Sequence, residues 1–159
     1  MDTALDLRRP GALVTLVVFL ALVVGVGALI GVNTAPGAWY EALQKPAFNP
    51  PNGLFGPVWF ALYVLIAIAG WRSWQRDPTG LPMLLWGGQM LLNWAWSPVW
   101  FGLQQMWLAF AIIVVMLVLI LAFIAVNWRR DRVAAWLFVP YAAWVAFASL
   151  LNLSIALLN

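Results

Sequence analysis

The sequence predicts an all-α integral membrane protein, a five-transmembrane-helix bundle with a long capping loop between its first and second helices. Of the 159 residues, 65% are hydrophobic and only 8% are charged, whereas a soluble domain carries about a quarter charged residues. Charges and clusters of proline, glycine and asparagine cut the chain into five apolar segments. Each is about 20 residues long, the length at which a helix spans a bilayer.

The five segments form a single membrane domain over residues 1–159. We place the helices at about 11–33, 55–75, 81–101, 106–128 and 133–157. No stretch between them is long enough to bury a core of its own, which argues against a separate soluble catalytic or nucleic-acid-binding domain. The first segment could also be a signal peptide, but its apolar run exceeds the usual length of such a segment, so we expect it to remain as a helix.

The basic residues predict the orientation of the bundle. Seven of the eight fall on one side of the membrane, namely Arg8, Arg9, Arg72, Arg76, Arg129, Arg130 and Arg132. Only Lys45 lies on the other side. Because lysine and arginine are retained on the cytoplasmic side, we expect a cytoplasmic N-terminus and a C-terminus across the membrane. The net charge of only +3, spread in this way, does not indicate a nucleic-acid partner.

The loop at 33–54 contains the stretch PGAWYEALQKPAFNPPNG, in which four prolines leave room for one short helix around Trp39 to Leu43. Long loops of this kind in compact proteins are usually functional, so we interpret the loop as a lid. The alternative is an interfacial anchor that holds Trp39 and Tyr40 at the level of the lipid headgroups.

Three of the predicted helices carry a stripe of aromatic and polar side chains at helical spacing. The stripes are Trp59 and Tyr63 on the second helix, Gln89, Asn93, Trp96, Ser97 and Trp100 on the third, and Tyr141, Trp144, Ala148 and Asn152 on the fifth. A buried amide without a partner costs several kcal/mol in a membrane, so these faces should avoid lipid. They either pack the bundle core through interhelical hydrogen bonds or line a ligand cavity. Twelve tryptophans exceed what an interfacial belt requires and favour the cavity.

The chain has no cysteine and no histidine. Disulfides, thiol nucleophiles, histidine bases and the usual zinc or haem ligands are therefore excluded, and we expect no metal site. The acidic residues all lie outside the predicted helices, which makes acid/base catalysis and ion-coupled transport improbable.

Four stretches in this order, WYEALQKPAFNPP, GPVWFALY, NWAWSPVWFG and VPYAAWVAFASLLN, resemble the signature stretches of the translocator protein family (TspO/MBR), also called tryptophan-rich sensory proteins or peripheral-type benzodiazepine receptors. The likeness spans about residues 39 to 152. It implies a five-helix bundle, commonly a homodimer, with a cavity capped by the first loop. Members bind porphyrins such as protoporphyrin IX, drugs of the isoquinoline carboxamide and benzodiazepine types and, in some cases, sterols.

The resemblance also implies roles for individual residues. Some bacterial members degrade protoporphyrin IX in light through two pocket tryptophans, which match Trp59 and Trp144 here. Ligand contacts would fall on matching positions, namely Tyr40, Tyr63, Asn93, Trp96, Ser97 and Ala148. Animal members of the family carry a sterol motif with a tyrosine and an arginine at the end of the fifth helix. The corresponding tail here, ASLLNLSIALLN, has neither residue, so sterol recognition by that motif is not expected.

For a porphyrin ligand, Lys45 in the lid is expected to meet the propionates. Without histidine or cysteine the chain lacks the usual ligands of haem iron, so a metal-free porphyrin is the better ligand. We expect that no cofactor is required and that any turnover would be photochemical. Three functions follow from the sequence: a membrane receptor or sensor for porphyrins, a passive transporter of tetrapyrroles or other lipophilic ligands, and a structural scaffold whose stripes only pack.

Overall fold

The fold is all-helical over residues 11–159, the part of the chain that the computed structural model describes. The helices are α1 Ala12–Asn33, α2 Ala38–Ala42, α3 Asn52–Arg76, α4 Leu81–Ser97, α5 Met106–Arg130 and α6 Arg132–Leu158, and a π-helical turn, Pro98–Gly102, follows α4. Four of them, α1, α3, α5 and α6, are long and apolar enough to cross a membrane. Arg8 and Arg9, which contribute to the predicted orientation, lie outside the described residues.

The third apolar segment differs from the single helix predicted over 81–101. Its α-helix ends at Ser97 and the next five residues form the π-helical turn. Pro98 has no backbone N–H and cannot continue the α-helical hydrogen bonding. The Leu103 N–H instead donates to the Pro98 carbonyl at 2.9 Å, and Gln104 leaves the helix with a φ of +57°. Such turns are rare and occur mostly at functional sites.

The core forms where α5 packs on α4 and α6, and where α3 packs on α1 and α6. Its fully buried side chains include Ile66, Ile113, Met116, Ile120, Phe123, Phe138 and Val145. Helices α3 and α4 approach closely at Gly70, because a Cβ there would overlap the indole of Trp86. That indole donates its N–H to the Ile66 carbonyl at 2.9 Å, so a polar group in the core is satisfied by the backbone of α3.

An ion-pair cluster joins α3 to the α5–α6 connection at one end of the bundle. The buried Asp131 accepts two hydrogen bonds from Arg72 and one from Arg76, each at 2.9 Å. It also caps α6 by accepting the Ala134 N–H. Burial raises the pKa of Asp131, but the hydrogen bonds from the two arginines outweigh this and hold the pKa below its usual value.

The segment 34–51, which contains α2, packs over the opposite end of the bundle. Tyr40 is buried against the ring of Phe101 at 5.4 Å, and Trp39 meets Trp100 edge to face at 6.0 Å. The peptide of Gln44 pairs with the side chain of Asn159 through two hydrogen bonds of 2.9 and 3.0 Å. The end of α6 therefore lies at this end of the bundle, away from the arginines.

Candidate functional site

A cavity of about 380 Å³ lies within the bundle beneath segment 34–51. This volume falls in the range of small-molecule pockets, which is roughly 300–1,000 Å³. Its lining comes mainly from α1, α3, α4 and α6, and includes Gly27, Gly31, Thr34, Tyr40, Phe55, Trp59, Phe60, Tyr63, Asn93, Trp96, Ser97, Trp100, Met116, Trp144, Ala148 and Asn152. None of the carboxylates within residues 11–159 lines it. The cavity is therefore predominantly apolar and uncharged.

Aromatic rings form the walls of the cavity. Trp59 packs against Tyr63 at 5.4 Å on α3, and Trp144 of α6 meets Phe55 edge to face at 5.8 Å. The indole of Trp96 lies 5.9 Å from a second indole, that of Trp100, with only 9° between their planes. These rings present broad flat surfaces of the kind that pack against an aromatic ligand.

A chain of hydrogen bonds runs from the cavity into the core. Tyr63 Oη donates to Asn93 Oδ1 at 3.1 Å, and Asn93 Nδ2 donates to Tyr141 Oη at 2.8 Å. Tyr141 in turn donates to Gln89 Oε1 at 2.8 Å, and Gln89 Nε2 donates to the Trp86 carbonyl. Each side chain of this hydrogen-bond chain thus has a partner, and the chain fixes the orientation of the Asn93 amide.

Two further polar contacts lie nearer to segment 34–51. Thr34 at the end of α1 shares a hydrogen bond of 2.6 Å with Ser97 at the end of α4. The Trp96 indole donates to Asn152 Oδ1 at 3.1 Å, and Asn152 Nδ2 donates to the Met106 carbonyl. Asn152 therefore holds the Trp96 ring against the wall and links α6 to the start of α5.

The Trp144 indole contributes an unused donor. Its Nε1 is buried and has no hydrogen-bond partner among the described residues. A buried N–H without a partner costs about 1–3 kcal/mol, and because this nitrogen is shielded, an acceptor would recover that cost only if the side chains around it shift.

The structure brings together nine of the twelve sequence-predicted binding residues. Those that line the cavity are Tyr40, Trp59, Tyr63, Asn93, Trp96, Ser97, Trp144, Ala148 and Asn152. Gln89 and Tyr141 share the predicted helix faces but lie one layer deeper, because they hydrogen-bond to each other behind Asn93. Their placement is that of supports for the Asn93 amide.

Lys45 lies apart from the cavity lining, contrary to the expectation that it faces a ligand. Its Nζ donates to the carbonyls of Glu41 and Leu43 at 3.1 Å and sits 4.7 Å from the centre of the Tyr40 ring. The ammonium is thus satisfied within segment 34–51 by backbone carbonyls and a cation–π contact. In this conformation no cation lines the cavity among the described residues.

The contribution of α1 to the cavity was not predicted, because its sequence is apolar on every face. A Cβ at Gly27 would overlap the Tyr63 ring, so this glycine permits the close approach of α1 to α3. Gly27 and Gly31 are four residues apart on α1, a spacing of small residues that permits close helix packing.

One wall of the cavity is incomplete. Lining residues of α1 and α3, among them Gly31 and Phe60, are also exposed on the outer surface, and Phe60 is 61% exposed. The cavity lining is therefore partly open to the outside along α1 and α3.

Comparison with known proteins identifies the family of this chain. The chain is 35% identical over 135 residues to the tryptophan-rich sensory protein of Cereibacter sphaeroides, an alignment that covers 85% of each. It is 34% identical over 133 residues to protein CrtK of Rhodobacter capsulatus, covering 81% of this chain and 83% of that one. It is 38% identical over 121 residues to the human translocator protein, covering 72% and 70%. The sequence profile of the TspO/MBR family matches residues 16–158, and the chain belongs to that family.

Proposed function

We propose that this membrane protein is a receptor or sensor that binds protoporphyrin IX, or a similar planar apolar molecule, in the cavity. The observation that carries the proposal is the convergence of Trp59, Trp96 and Trp144, from three helices, on one uncharged space that also contains the Asn93 amide. Offset ring packing is worth about 0.5–1.5 kcal/mol per aromatic pair beyond burial. A tetrapyrrole offers a large flat surface to these walls.

The polar groups of the cavity favour a metal-free porphyrin over haem. Tyrosine or methionine would have to ligate iron here, since the chain has no histidine or cysteine. The hydroxyls of Tyr40 and Tyr63 already donate to Asn49 and Asn93. The sulfur of Met116 lies 3.5 Å from Tyr141 Oη. A free-base ring places no such demand on these groups, and a propionate oxygen is the acceptor that it offers to the Trp144 N–H.

A titration of the purified protein with protoporphyrin IX, followed by quenching of tryptophan fluorescence, tests binding. Trp144→Ala should weaken the apparent affinity about tenfold, which corresponds to the upper end of one lost ring interaction. Trp136→Ala removes an exposed indole on the outside of α6 and is the matched control. Equal affinities for the two variants, or no saturable quenching of the parent protein, would contradict the proposal.

Light-dependent porphyrin degradation is proposed as a second property of the same site, with molecular oxygen as the oxidant and Trp59 and Trp144 as electron or radical partners of the excited porphyrin. Trp59→Phe and Trp144→Phe keep an aromatic wall but remove the readily oxidised indoles. The double variant should bind protoporphyrin IX within a fewfold of the parent affinity and lose the light-driven decay of its absorbance in air. Decay at the parent rate would exclude both tryptophans.

Passive transport of tetrapyrroles or other lipophilic ligands is the alternative, and the opening between α1 and α3 favours it. A ligand could pass between the cavity and the lipid beside Phe60 without crossing a charged group. Flux of protoporphyrin IX into proteoliposomes in the dark distinguishes the two functions. A flux equal to that of protein-free vesicles would leave only the receptor. If neither binding nor flux occurs, the stripes serve packing and the protein is a scaffold.

In the membrane, we propose five spans. Helix α4 and the π-helical turn together cover 81–102, a length that is sufficient to cross the bilayer. They would form a span in addition to α1, α3, α5 and α6. The arginine end would then face the cytoplasm and the C-terminus the opposite side.

The outward face of α4 is proposed as the homodimer contact. Leu84 and Leu91 are exposed on it, and there is open space at Gly87 between them. Crosslinking through cysteines placed at Leu84 and Leu91 would test this contact.

A further inference from the structure

The arginine end of the bundle carries three guanidinium groups that have no counter-ion among residues 11–159. Arg129 and Arg130 end α5, Arg132 begins α6, and all three are exposed. None of them forms an ion pair or a side-chain hydrogen bond within residues 11–159. Three cations crowded into four residues repel one another unless an anion is near.

The nearest carboxylates are already engaged. Both oxygens of Asp131 accept hydrogen bonds from Arg72 or Arg76, and one also takes the Ala134 N–H. Asp77 accepts from the backbone and hydroxyl of Thr79. The protein therefore supplies no free anion to this cluster from its described part.

Helix electrostatics explain only part of the arrangement. Cations at the C-terminus of a helix are favoured by the helix dipole, which suits Arg129 and Arg130 at the end of α5. Arg132 stands at the N-terminus of α6, where the same dipole disfavours a cation. Its position favours a negatively charged partner, and residues 11–159 supply none.

Two exposed indoles lie beside the arginines. Trp128 of α5 and Trp136 of α6 are 42% and 60% exposed, and their ring centres are 5.5 Å apart. Trp128 directly precedes Arg129, and Trp136 follows Arg132 by one helical turn, on the same face of α6. Exposed tryptophan is typical of the headgroup level of a bilayer. The pair forms an apolar ledge on the bilayer side of the guanidinium groups.

We propose that Arg129, Arg130 and Arg132, with the Trp128–Trp136 ledge, bind the headgroup of an anionic phospholipid. Guanidinium groups bind phosphate through paired N–H donors. The indoles would pack against the glycerol and the upper acyl chains. The lipid phosphate supplies the charge that the cluster lacks, and it joins α5 to α6 at their shared end. This site is separate from the cavity and does not depend on porphyrin binding.

Native mass spectrometry of the full chain tests the proposal, with dioleoyl phosphatidylglycerol and dioleoyl phosphatidylcholine as probes. The parent protein should bind phosphatidylglycerol more tightly. Because each basic residue near a lipid surface is worth about fivefold in binding, Arg132→Gln should lower that affinity about fivefold. Replacing all three arginines by glutamine should lower it by about a hundredfold. Phosphatidylcholine binding should not change.

The control is Lys45→Gln, which removes one positive charge at the other end of the bundle. It should keep the phosphatidylglycerol affinity within twofold of the parent. An equal loss in Lys45→Gln and Arg132→Gln would show a net-charge effect and overturn the site. Unchanged lipid preference in the triple variant, with its helical circular dichroism intact, would do the same. Displacement of phosphatidylglycerol by millimolar sodium phosphate, but not by sodium chloride at matched ionic strength, would assign the cluster to free phosphate instead.

Discussion

Substitution of Gly27 by alanine should damage both the stability of the bundle and the ligand cavity. The added Cβ would overlap the ring of Tyr63, so the ring or α1 must move. Overpacking of this kind costs about 1–3 kcal/mol. Moving the ring also breaks the 3.1 Å hydrogen bond from Tyr63 to Asn93, and such bonds contribute about 0.6 kcal/mol in membrane proteins. The loss specific to Gly27→Ala is therefore about 2–4 kcal/mol.

Gly31→Ala is the matched control, one helical turn along α1. Gly31 also lines the cavity, but a Cβ there meets nothing within 4 Å. The gain in helix propensity from glycine to alanine, about 1 kcal/mol, is common to both variants. The midpoint of thermal unfolding in detergent should thus be about 5–10 °C lower for Gly27→Ala than for Gly31→Ala.

The same two variants should also differ in their affinity for protoporphyrin IX. Gly27→Ala pushes Tyr63 towards the cavity and should weaken the affinity for protoporphyrin IX, whereas Gly31→Ala should keep it within a fewfold. Equal unfolding midpoints would refute the close contact of α1 with Tyr63. Equal affinities alongside different midpoints would refute the assignment of Tyr63 to the cavity wall.

Three further predictions concern buried polar groups. Asp131→Asn should lower the unfolding free energy by about 3 kcal/mol, because it leaves Arg72 without its charged partner; chemical unfolding measures this. Since the pKa of Asp131 is lowered in the folded protein, its contribution to stability should be complete above about pH 5 and fall as pH drops below the unfolded value of about 3.9. Thermal midpoints in that window should not fall in this way for Asp131→Asn. Tyr141→Phe leaves Gln89 Oε1 and Asn93 Nδ2 without the hydroxyl that partners them and should cost about 1–3 kcal/mol, with weaker porphyrin binding; an unchanged midpoint would contradict the hydrogen-bond chain.

The helical elements were largely predictable because charges and prolines delimit them. The structure begins α3 three residues before the predicted 55, and starts α5 at the predicted 106. The short α2 lies where the loop was expected to hold one helix. The π-helical turn was not predicted, because a proline reveals a missing donor but not which hydrogen-bond pattern replaces the α-helical one.

Helical periodicity indicated which helix faces lie inside the bundle, but not which residues on those faces reach the cavity. It placed Gln89 and Asn93 on one face of α4, and both are buried on that helix. Only Asn93 reaches the cavity, because Tyr141 from another helix occupies the space beside Gln89. The position of Lys45 over Tyr40 depends on the turns of segment 34–51, which no repeating pattern encodes. The faces of α1 were hidden by its uniform hydropathy.

A structure of the protein with protoporphyrin IX, determined in a lipid bilayer mimetic in the dark, tests the central claim most directly. The claim predicts the macrocycle between Trp59, Trp96 and Trp144, with an acceptor atom of the ligand within hydrogen-bond distance of the Trp144 N–H. Porphyrin found only on the lipid-facing surface, with the cavity empty or filled by side chains, would contradict it.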